Sequence, residues 1–405
     1  MAQFRQFLCL MLFAFVTSSC HGTEKKKSNT GVFTETRTDS IVVGAQKYRD
    51  YLPLIKNKKV AVMANQTSLT DGMHLVDKLV SEKVNVLRVF APEHGFRGEA
   101  GPGDKVSSGK DPVTGLPVVS LYGSRRKPEP SDLKDLDIVI FDIQDVGARF
   151  YTYISSLHYL MEACAENNVE VLIFDRPNPN GFYIDGPILD TAYRSFVGIA
   201  PLPVVHGLTV GEYAMMANGE GWLTNGIKCQ LTVIKMDNYA HHKLYELPVR
   251  PSPNLPNMNS IYLYTSLCFF EGAQVSVGRG TGKPFEMIGF PGFKKGEVTF
   301  TPKEIPGVIK DPPYEGKECA GYDLGSESKF ILTEKKINLE WLIEMYQAFP
   351  DQEKFFNNFF DKLAGTDVLR KQILKGMSAE AIRKSWQPDL EKYKVMRKKY
   401  LLYPD

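Results

Sequence analysis

Short apolar runs alternate with helical patterns along the first 240 residues, and this alternation limits the possible folds more than any other feature. The runs are apolar at consecutive positions, as in strands buried on both faces of a sheet: Lys59–Ala64, Val84–Phe90, Val118–Leu121, Asp137–Ile143 and Glu170–Phe174. Helical patterns lie among them: Ala45–Ile55, Met73–Ser81 and Tyr151–Asn167. Because strands that alternate with helices pair in parallel, the pattern predicts an α/β fold with a doubly wound, mostly parallel sheet.

Polar side chains cluster directly after these strands. In an open parallel sheet the carboxyl ends of the strands lie at one edge, and ligands bind beyond that edge. The candidate residues at these positions are Asn65, Glu93, His94, Arg97, Tyr122, Asp142, Gln144, Asp145, Arg149, Arg176 and Asn178. A structural role stays open for each, since Asp and Asn also cap helices and form turns, and Glu93 and Arg97 could form a surface ion pair. The presence of Gln, Arg and His beside the carboxylates favours a site.

Two further segments add candidates to the same edge. Gly147 indicates a tight passage before a helix, and Tyr151 in that helix start could stack on a sugar ring or pack in the core. Val204–Gly207 is predicted to be a last short strand, with His206 at its end as a functional candidate. Thr209 and Glu212 then have the spacing of a capping box, which gives Glu212 a structural explanation.

The chain changes character after residue 240. The proline-rich segment Pro248–Asn259 predicts an extended crossing. We therefore expect a catalytic domain over residues 41–240 and a smaller α+β domain over residues 241–405 that closes the cleft, with Glu271 and Arg279 as its candidate site residues. Helical patterns dominate from Ile337 to Tyr400, and Pro388 is predicted to start the last helix.

The N-terminal residues predict export. Residues 1–20 have the pattern of a secretory signal, in which Arg5 precedes an apolar run too short to span a bilayer. Cys20 follows small residues, which favours lipidation over simple cleavage, although Thr17 stands where such signals carry an aliphatic residue. Residues 21–40 are polar and predict a tether. We expect a periplasmic protein whose membrane contact, if any, is a lipid anchor at Cys20 in the outer membrane.

Composition and motif spacing exclude several functions. The 49 basic and 47 acidic residues nearly balance, which argues against a nucleic-acid partner. No GxGxxG follows the first strand, the loop Gly278–Pro284 lacks the Walker spacing, and no HExxH is present. No cofactor and no metal are therefore predicted. The four cysteines beyond Cys20 are widely spaced, and buried free thiols are expected.

Six strings in matching order resemble the exo-β-N-acetylmuramidase family of NamZ type: PEHGFRG, FDIQDVGARFYTY, DRPNPNGFYIDGP, HGLTVGEYA, RPSPNLPN and FEGAQVSVGRGT. The resemblance covers nearly everything after Ser40. It implies a Rossmann-like domain without a dinucleotide, a smaller C-terminal domain, and an active site in the cleft between them. It also implies release of N-acetylmuramic acid from the non-reducing end of peptidoglycan fragments, with Glu93 as the catalytic carboxylate.

The residues at the predicted edge agree with that chemistry. Glycoside hydrolysis needs a proton donor and usually a second carboxylate, and His94, Asp142 and Asp145 are the catalytic candidates beside Glu93. The lactyl carboxylate of muramic acid requires a cation, for which Arg149, Arg176 and Arg279 are available. Two alternatives remain: a glycan-binding lipoprotein without turnover, and a hydrolase of a wall amide or ester. The second lacks a visible G-x-S-x-G elbow or Cys–His pair.

Overall fold

The secondary-structure elements of the first domain surround one large sheet. The computed structural model describes residues 40–98 and 108–405. Along the chain the elements are α1 (Tyr48–Ile55), β1 (Val60–Ala64), β2 (Leu69–Thr70), β3 (Met73–His74), α2 (Leu75–Ser81), β4 (Val86–Ala91), β5 (Gly109–Lys110), β6 (Pro117–Ser120), α3 (Pro130–Leu133), β7 (Ile138–Asp142), α4 (Tyr153–Glu166), β8 (Glu170–Phe174), α5 (Val210–Gly219) and β9 (Leu231–Ile234).

Seven of these strands form the sheet, in the spatial order β5-β6-β4-β1-β7-β8-β9. All neighbours pair in parallel except β5, which is antiparallel to β6 at one edge. Without β5, this is the strand order of a dinucleotide-binding Rossmann sheet. From β1 the chain adds β4 and β6 on one side of the sheet. It then returns to the other side of β1, where it adds β7, β8 and β9. The strand order therefore reverses between β1 and β7, where such sheets place their ligand sites.

Both faces of the sheet are covered, which explains why its strands are apolar at consecutive positions. In β1, Val60, Val62 and Ala64 belong to one core with residues of α1 and α2. The alternate residues Ala61 and Met63 belong to the other core, which contains α4 and α5. Side chains of a strand point alternately to opposite faces, so a strand between two helical layers needs apolar residues throughout. The predicted doubly wound, mostly parallel α/β sheet is confirmed.

A smaller second domain follows the crossing segment. Its elements are α6 (Met258–Leu267), β10 (Met287–Phe290), β11 (Val298–Phe300), β12 (Cys319–Asp323), α7 (Ser328–Glu334), α8 (Glu340–Ala348), α9 (Phe360–Ala364), α10 (Val368–Leu374) and α11 (Ala379–Arg397). The three strands form an antiparallel sheet in the order β10-β12-β11. The chain end then returns to the first domain, where the Tyr403 hydroxyl donates to Asp175 Oδ2 at 2.7 Å. The predicted α+β character of this part is thus present.

Two local predictions were wrong. Val204–Gly207 forms no strand of the sheet, because Val205 makes only isolated bridges to Ala148 and Asp185. Pro388 does not start a helix but lies inside α11, in its middle. The helix accommodates a residue without an N–H there, and the apolar residues Trp386 and Leu390 on either side are buried against the core. The capping box of Thr209 and Glu212 is confirmed at the start of α5.

The four cysteines among the described residues, Cys164, Cys229, Cys268 and Cys319, are free and buried, as predicted. No helix within residues 40–98 and 108–405 is both long and apolar enough to cross a bilayer. The predicted signal segment, Cys20 and the predicted tether up to residue 39 lie outside the described residues.

Candidate active site

A cavity of about 300 Å³ lies beyond the carboxyl ends of β4, β6 and β7. Its walls come mainly from three parts of the chain, to which the loop between β8 and α5 adds Val197. The sheet edge contributes Glu93, His94, Tyr122 and Phe150–Tyr153; the crossing segment contributes Ser252, Asn254 and Leu255; and the second domain contributes Tyr264, Glu271, Arg279 and Phe285. This volume is at the lower end of those of small-molecule sites, which is suited to one ring of a saccharide.

Glu93 is held at the cavity wall by two hydroxyl groups. The Tyr122 hydroxyl donates to Oε1 at 2.6 Å, and Thr152 Oγ1 donates to Oε2 at 3.0 Å. Each carboxylate oxygen therefore has its own fixed donor. A hydroxyl can also accept, so the same pair of groups can bind Glu93 when it carries a proton. The arrangement fixes the position of the carboxyl group in both protonation states.

His94 also lines the cavity, and its backbone explains how it reaches there. Its φ is 70°, in the left-handed region that disfavours residues other than glycine by roughly 1–2 kcal/mol. Gly95 follows with φ 79°, so the chain turns sharply directly after Glu93. The His94 side chain is buried. The turn places two ionisable side chains from one strand end in the same cavity.

Two tyrosines at the start of α4 form an aromatic wall. The Tyr151 and Tyr153 rings meet edge to face with centroids 4.9 Å apart. Both hydroxyls donate to the carbonyl oxygen of Pro251, at 2.8 and 3.3 Å. The phenol groups thus anchor the crossing segment, and both residues line the cavity although they are largely buried. Tyr264 of the second domain packs edge to face against Tyr151 and extends this wall.

Glu271 and Arg279 form an ion pair at the wall contributed by the second domain. Glu271 lies on the 3-10 turn Cys268–Gly272, and its Oε1 accepts from Arg279 Nη1. Their side chains keep 23% and 19% of their exposure, so both remain accessible from the cavity. Arg279 Nε is buried and has no hydrogen-bond partner. Among the described residues that line the cavity, Glu93 and Glu271 are the two carboxylates and Arg279 is the one arginine.

Asp142 and Arg176, both predicted at the site, lie outside the cavity lining. They bind each other at the switch point of the sheet. Arg176 donates from Nε and Nη2 to the two oxygens of Asp142, at 2.6 and 2.8 Å, and also to the carbonyl oxygen of Leu69 at 3.0 Å. Both side chains are buried. This pair fastens the ends of β7 and β8 together and leaves neither charge for a substrate.

Arg149 is buried in the interior instead of facing the cavity. Its Nη1 donates to the carbonyl oxygens of Pro187 and Leu202, at 2.8 and 2.7 Å. Its Nη2 donates to those of Leu363 and Ala364, at 2.9 and 2.7 Å. Burial lowers the pKa of Arg149 to about 9. The guanidinium group therefore joins the two domains, and the prediction that it meets a substrate carboxylate has no support in its position.

Asp145 and His206 lie behind the aromatic wall, outside the cavity lining. Asp145 Oδ2 accepts from the backbone N–H of Gly147 at 2.7 Å, and His206 Nε2 lies 3.9 Å from the same oxygen. Burial raises the pKa of Asp145 to about 7 and lowers that of His206 to about 3. The predicted tight passage at Gly147 is confirmed, since its φ is 76° and a Cβ there would collide with Asn178 Oδ1.

The other predicted residues hold loops and contribute no side chain to the cavity lining. Asn65 Oδ1 accepts from the N–H and hydroxyl of Thr67, at 2.9 and 2.6 Å. Gln144 donates to the carbonyl oxygens of Asp145 and Pro177, and Asn178 to that of Leu208. Arg97 is paired with Asp77 and Asp111, so the alternative of a surface ion pair between Arg97 and Glu93 is not what forms.

Three polar cavity residues were not predicted: Thr152, Ser252 and Asn254. Thr152 lies between Tyr151, which was predicted, and Tyr153, and nothing in the local sequence pattern marked its hydroxyl as a site group. Ser252 and Asn254 belong to the segment RPSPNLPN, which we interpreted as a crossing segment only. A segment that crosses between two domains passes the cleft between them. This position could have indicated that Ser252 and Asn254 line the site.

The cavity holds no cation site of the usual kind. Within residues 40–98 and 108–405, no group of three His, Cys, Asp or Glu side chains is placed to hold a metal ion. Fold and cavity together define a Rossmann-like α/β protein whose cleft presents carboxyl, hydroxyl and aromatic groups.

Comparison with known proteins identifies the family. Residues 60–259 match the model of the N-terminal domain of the exo-β-N-acetylmuramidase NamZ, and residues 262–403 match that of its C-terminal domain. The chain belongs to the NamZ family of exo-β-N-acetylmuramidases. It is 36% identical to the peptidoglycan β-N-acetylmuramidase NamZ of Bacillus subtilis (strain 168), over 97% of each chain.

Two solved structures share the fold. A DUF1343 family protein of Bacteroides fragilis NCTC 9343 is 47% identical and superposes with a TM-score of 0.84, covering 90% of this chain and 99% of its own. A second DUF1343 family protein of the same organism is 28% identical, with a TM-score of 0.72 and the same coverage. The expected fold and family are both confirmed.

Proposed function

We propose that this protein is an exo-acting glycosidase that releases N-acetylmuramic acid from the non-reducing end of peptidoglycan fragments. The observation that carries the proposal is Glu93, a carboxyl group fixed by two hydroxyls in a cavity of about the volume of one sugar ring. Membership in the NamZ family supports the same substrate class. The cavity is formed by both domains, and a pocket closed in this way suits an enzyme that binds only a chain end.

Glu93 is the proposed general acid. It transfers its proton to the glycosidic oxygen as the bond between that oxygen and C1 of the muramic ring breaks. Water then supplies a hydroxyl group to C1, and its remaining proton restores Glu93. The hydroxyls of Tyr122 and Thr152 hold the carboxyl group in one place through both steps, because each can donate or accept.

Arg279 is the proposed partner of the lactyl carboxylate that distinguishes muramic acid from glucosamine. The other two predicted arginines are engaged elsewhere, Arg149 by four carbonyl oxygens and Arg176 by Asp142. Arg279 uses Nη1 for Glu271, and its partly exposed guanidinium group keeps further donors for a second carboxylate. A guanidinium group has five donors and can bind two carboxylates at once.

A chromogenic N-acetylmuraminide and the matching N-acetylglucosaminide, assayed side by side, test the proposal. We expect hydrolysis of the muraminide and little of the glucosaminide, together with release of single N-acetylmuramic acid units from a defined peptidoglycan oligomer. Binding of the oligomer without turnover would instead support a glycan-binding protein. Release of an amino acid or an acyl group from the wall would support an amide or ester hydrolase.

Export and lipidation at Cys20 form a separate proposal, which depends only on the N-terminal sequence. A periplasmic enzyme anchored in the outer membrane would meet wall fragments where they arise. The variant Cys20→Ser should move the protein from the membrane fraction to the soluble fraction. A wild-type mature chain that begins at another residue and carries no acyl group would refute the anchor and leave the glycosidase proposal untouched.

A further inference from the structure

We propose that Asn254 determines specificity by accepting a hydrogen bond from the N–H of the substrate's 2-acetamido group. The inference rests on the proposed function and adds a contact that neither the family relationship nor the sequence assigned. It begins from one atom, Asn254 Oδ1, a buried side-chain oxygen in a cavity-lining residue without a hydrogen-bond partner.

The orientation of the Asn254 amide is determined by its surroundings. Nδ2 donates to the carbonyl oxygen of Val308 at 3.1 Å. A carbonyl oxygen can only accept, so the nitrogen must be the atom on that side and the oxygen must be the atom left over. The residue as a whole is only 3% exposed. Oδ1 is therefore a preformed acceptor, shielded from bulk water and committed to no group of the protein.

The segment that carries Asn254 is rigid. Its backbone N–H donates to Ser252 Oγ at 3.2 Å, and the N–H of Leu255 donates to the carbonyl oxygen of Ser252 at 3.1 Å. The preceding Pro251 is bound by the two tyrosines of the aromatic wall. Val308 fixes the side chain from the second domain. Such an acceptor loses little conformational freedom when a ligand binds, so its contact favours binding more than a mobile side chain would.

The chemistry of the substrate selects the donor. A buried acceptor without a partner is unfavourable, so a ligand that supplies a hydrogen to Oδ1 binds more tightly than one that does not. The lactyl carboxylate cannot donate, and it is attracted to Arg279 on the wall from the second domain. The hydroxyls at C4 and C6 can donate, but neither is on a carbon next to C1. The acetamido N–H can only donate, and it is bonded to C2, the carbon next to the C1 at which Glu93 acts. A ring bound with C1 at Glu93 therefore places this N–H within the same small cavity as Asn254.

A substrate analogue isolates this contact. In the 2-O-acetyl analogue of the chromogenic muraminide, an ester oxygen replaces the amide N–H, and the shape of the group is retained. We expect wild-type kcat/KM to fall about ten- to a hundredfold on this change, mainly through KM, because a buried acceptor is left unpaired. Asn254→Ala should lose activity on the amide substrate but cleave the amide and the ester at nearly equal rates.

Comparison of both substrates on both proteins distinguishes a contact from structural damage. Loss of the bond to Val308 would slow both substrates by the same factor, whereas loss of the acetamido contact slows the amide alone. Asn259→Ala is the matched control, since that asparagine bonds to Ser328 and lies outside the cavity lining. It should keep the wild-type ratio. If wild-type enzyme cleaves both substrates within about twofold of each other, or if Asn254→Ala keeps the wild-type ratio, the inference is refuted. Failure of the wild type to cleave the muraminide at all would refute the proposed function instead.

Discussion

Replacing Arg279 should remove most of the preference for muramic acid over glucosamine. A charge-assisted hydrogen bond contributes about 1.5–3 kcal/mol, so Arg279→Ala should lower the muraminide to glucosaminide ratio of kcat/KM by roughly ten- to a hundredfold. The loss also contains a repulsive part, because Glu271 then faces the lactyl carboxylate without its cation. The free energy of unfolding should also fall, because the pair keeps only about a fifth of its exposure and Glu271 loses its cation; the ratio of the two substrates is unaffected by a loss of folded enzyme.

The assay is steady-state kinetics on two substrates with one leaving group. Arg279→Lys should give an intermediate ratio, because lysine keeps the charge but cannot bind two carboxylates in fixed geometry. Adding Glu271→Gln to Arg279→Ala should restore only the part of the muraminide preference that was lost through repulsion between Glu271 and the lactyl carboxylate. Arg250→Ala is the control, since this exposed arginine lies outside the cavity lining and should leave the ratio unchanged. An unchanged ratio in Arg279→Ala, in an enzyme that still turns over, would mean that backbone amides or cavity shape read the lactyl group.

Two further variants test the scaffold behind the cavity. Arg149→Met should lower the free energy of unfolding, measured by urea titration, by at least about 4 kcal/mol. Four buried carbonyl oxygens lose their donors, at about 1 kcal/mol or more each. A decrease below about 1 kcal/mol would contradict this prediction. Burial raises the pKa of Asp145 to about 7. Between about pH 4 and 7 the folded state therefore keeps a proton on Asp145 that the unfolded state releases. The free energy of unfolding of the wild type falls over this range as the pH rises. Asp145→Asn removes this pH dependence. The free energy of unfolding of the variant should therefore rise relative to that of the wild type by up to about 4 kcal/mol between about pH 4 and 7, and the difference should stay constant above about pH 7. An equal difference between variant and wild type at pH 5 and at pH 8 would refute the assignment.

The sequence was sufficient for the sheet because burial on both faces leaves a clear pattern. β8 has the predicted bounds Glu170–Phe174, and the capping residues of α5 are those that the spacing indicated. Val204–Gly207 was not predicted correctly, because two apolar residues in a row fit a strand and a buried loop equally well. The difference depends on bridges to Ala148 and Asp185, which are distant in sequence.

Strand-end position predicted the edge at which the site lies but could not identify each residue's partner. Glu93, His94, Tyr122 and Tyr151 do line the cavity. Arg149 comes from the same edge, yet its Nη2 is bound by a carbonyl oxygen 214 residues away in the second domain. A local pattern contains no information about such a contact. The predicted residues that remain candidates for the site are therefore those whose side chains the second domain does not engage.

The most direct test of the account is hydrolysis of the natural β-linked disaccharide of N-acetylmuramic acid and N-acetylglucosamine by Glu93→Gln. Glutamine keeps the size of the side chain and can still bond to Tyr122 and Thr152, so thermal unfolding should match the wild type. It cannot protonate a leaving group, and the natural disaccharide, unlike a nitrophenyl glycoside, depends on that proton. We predict a fall in kcat of about 10²- to 10⁴-fold. Near wild-type turnover of the disaccharide by a correctly folded Glu93→Gln variant would contradict the assignment of Glu93 as the acid.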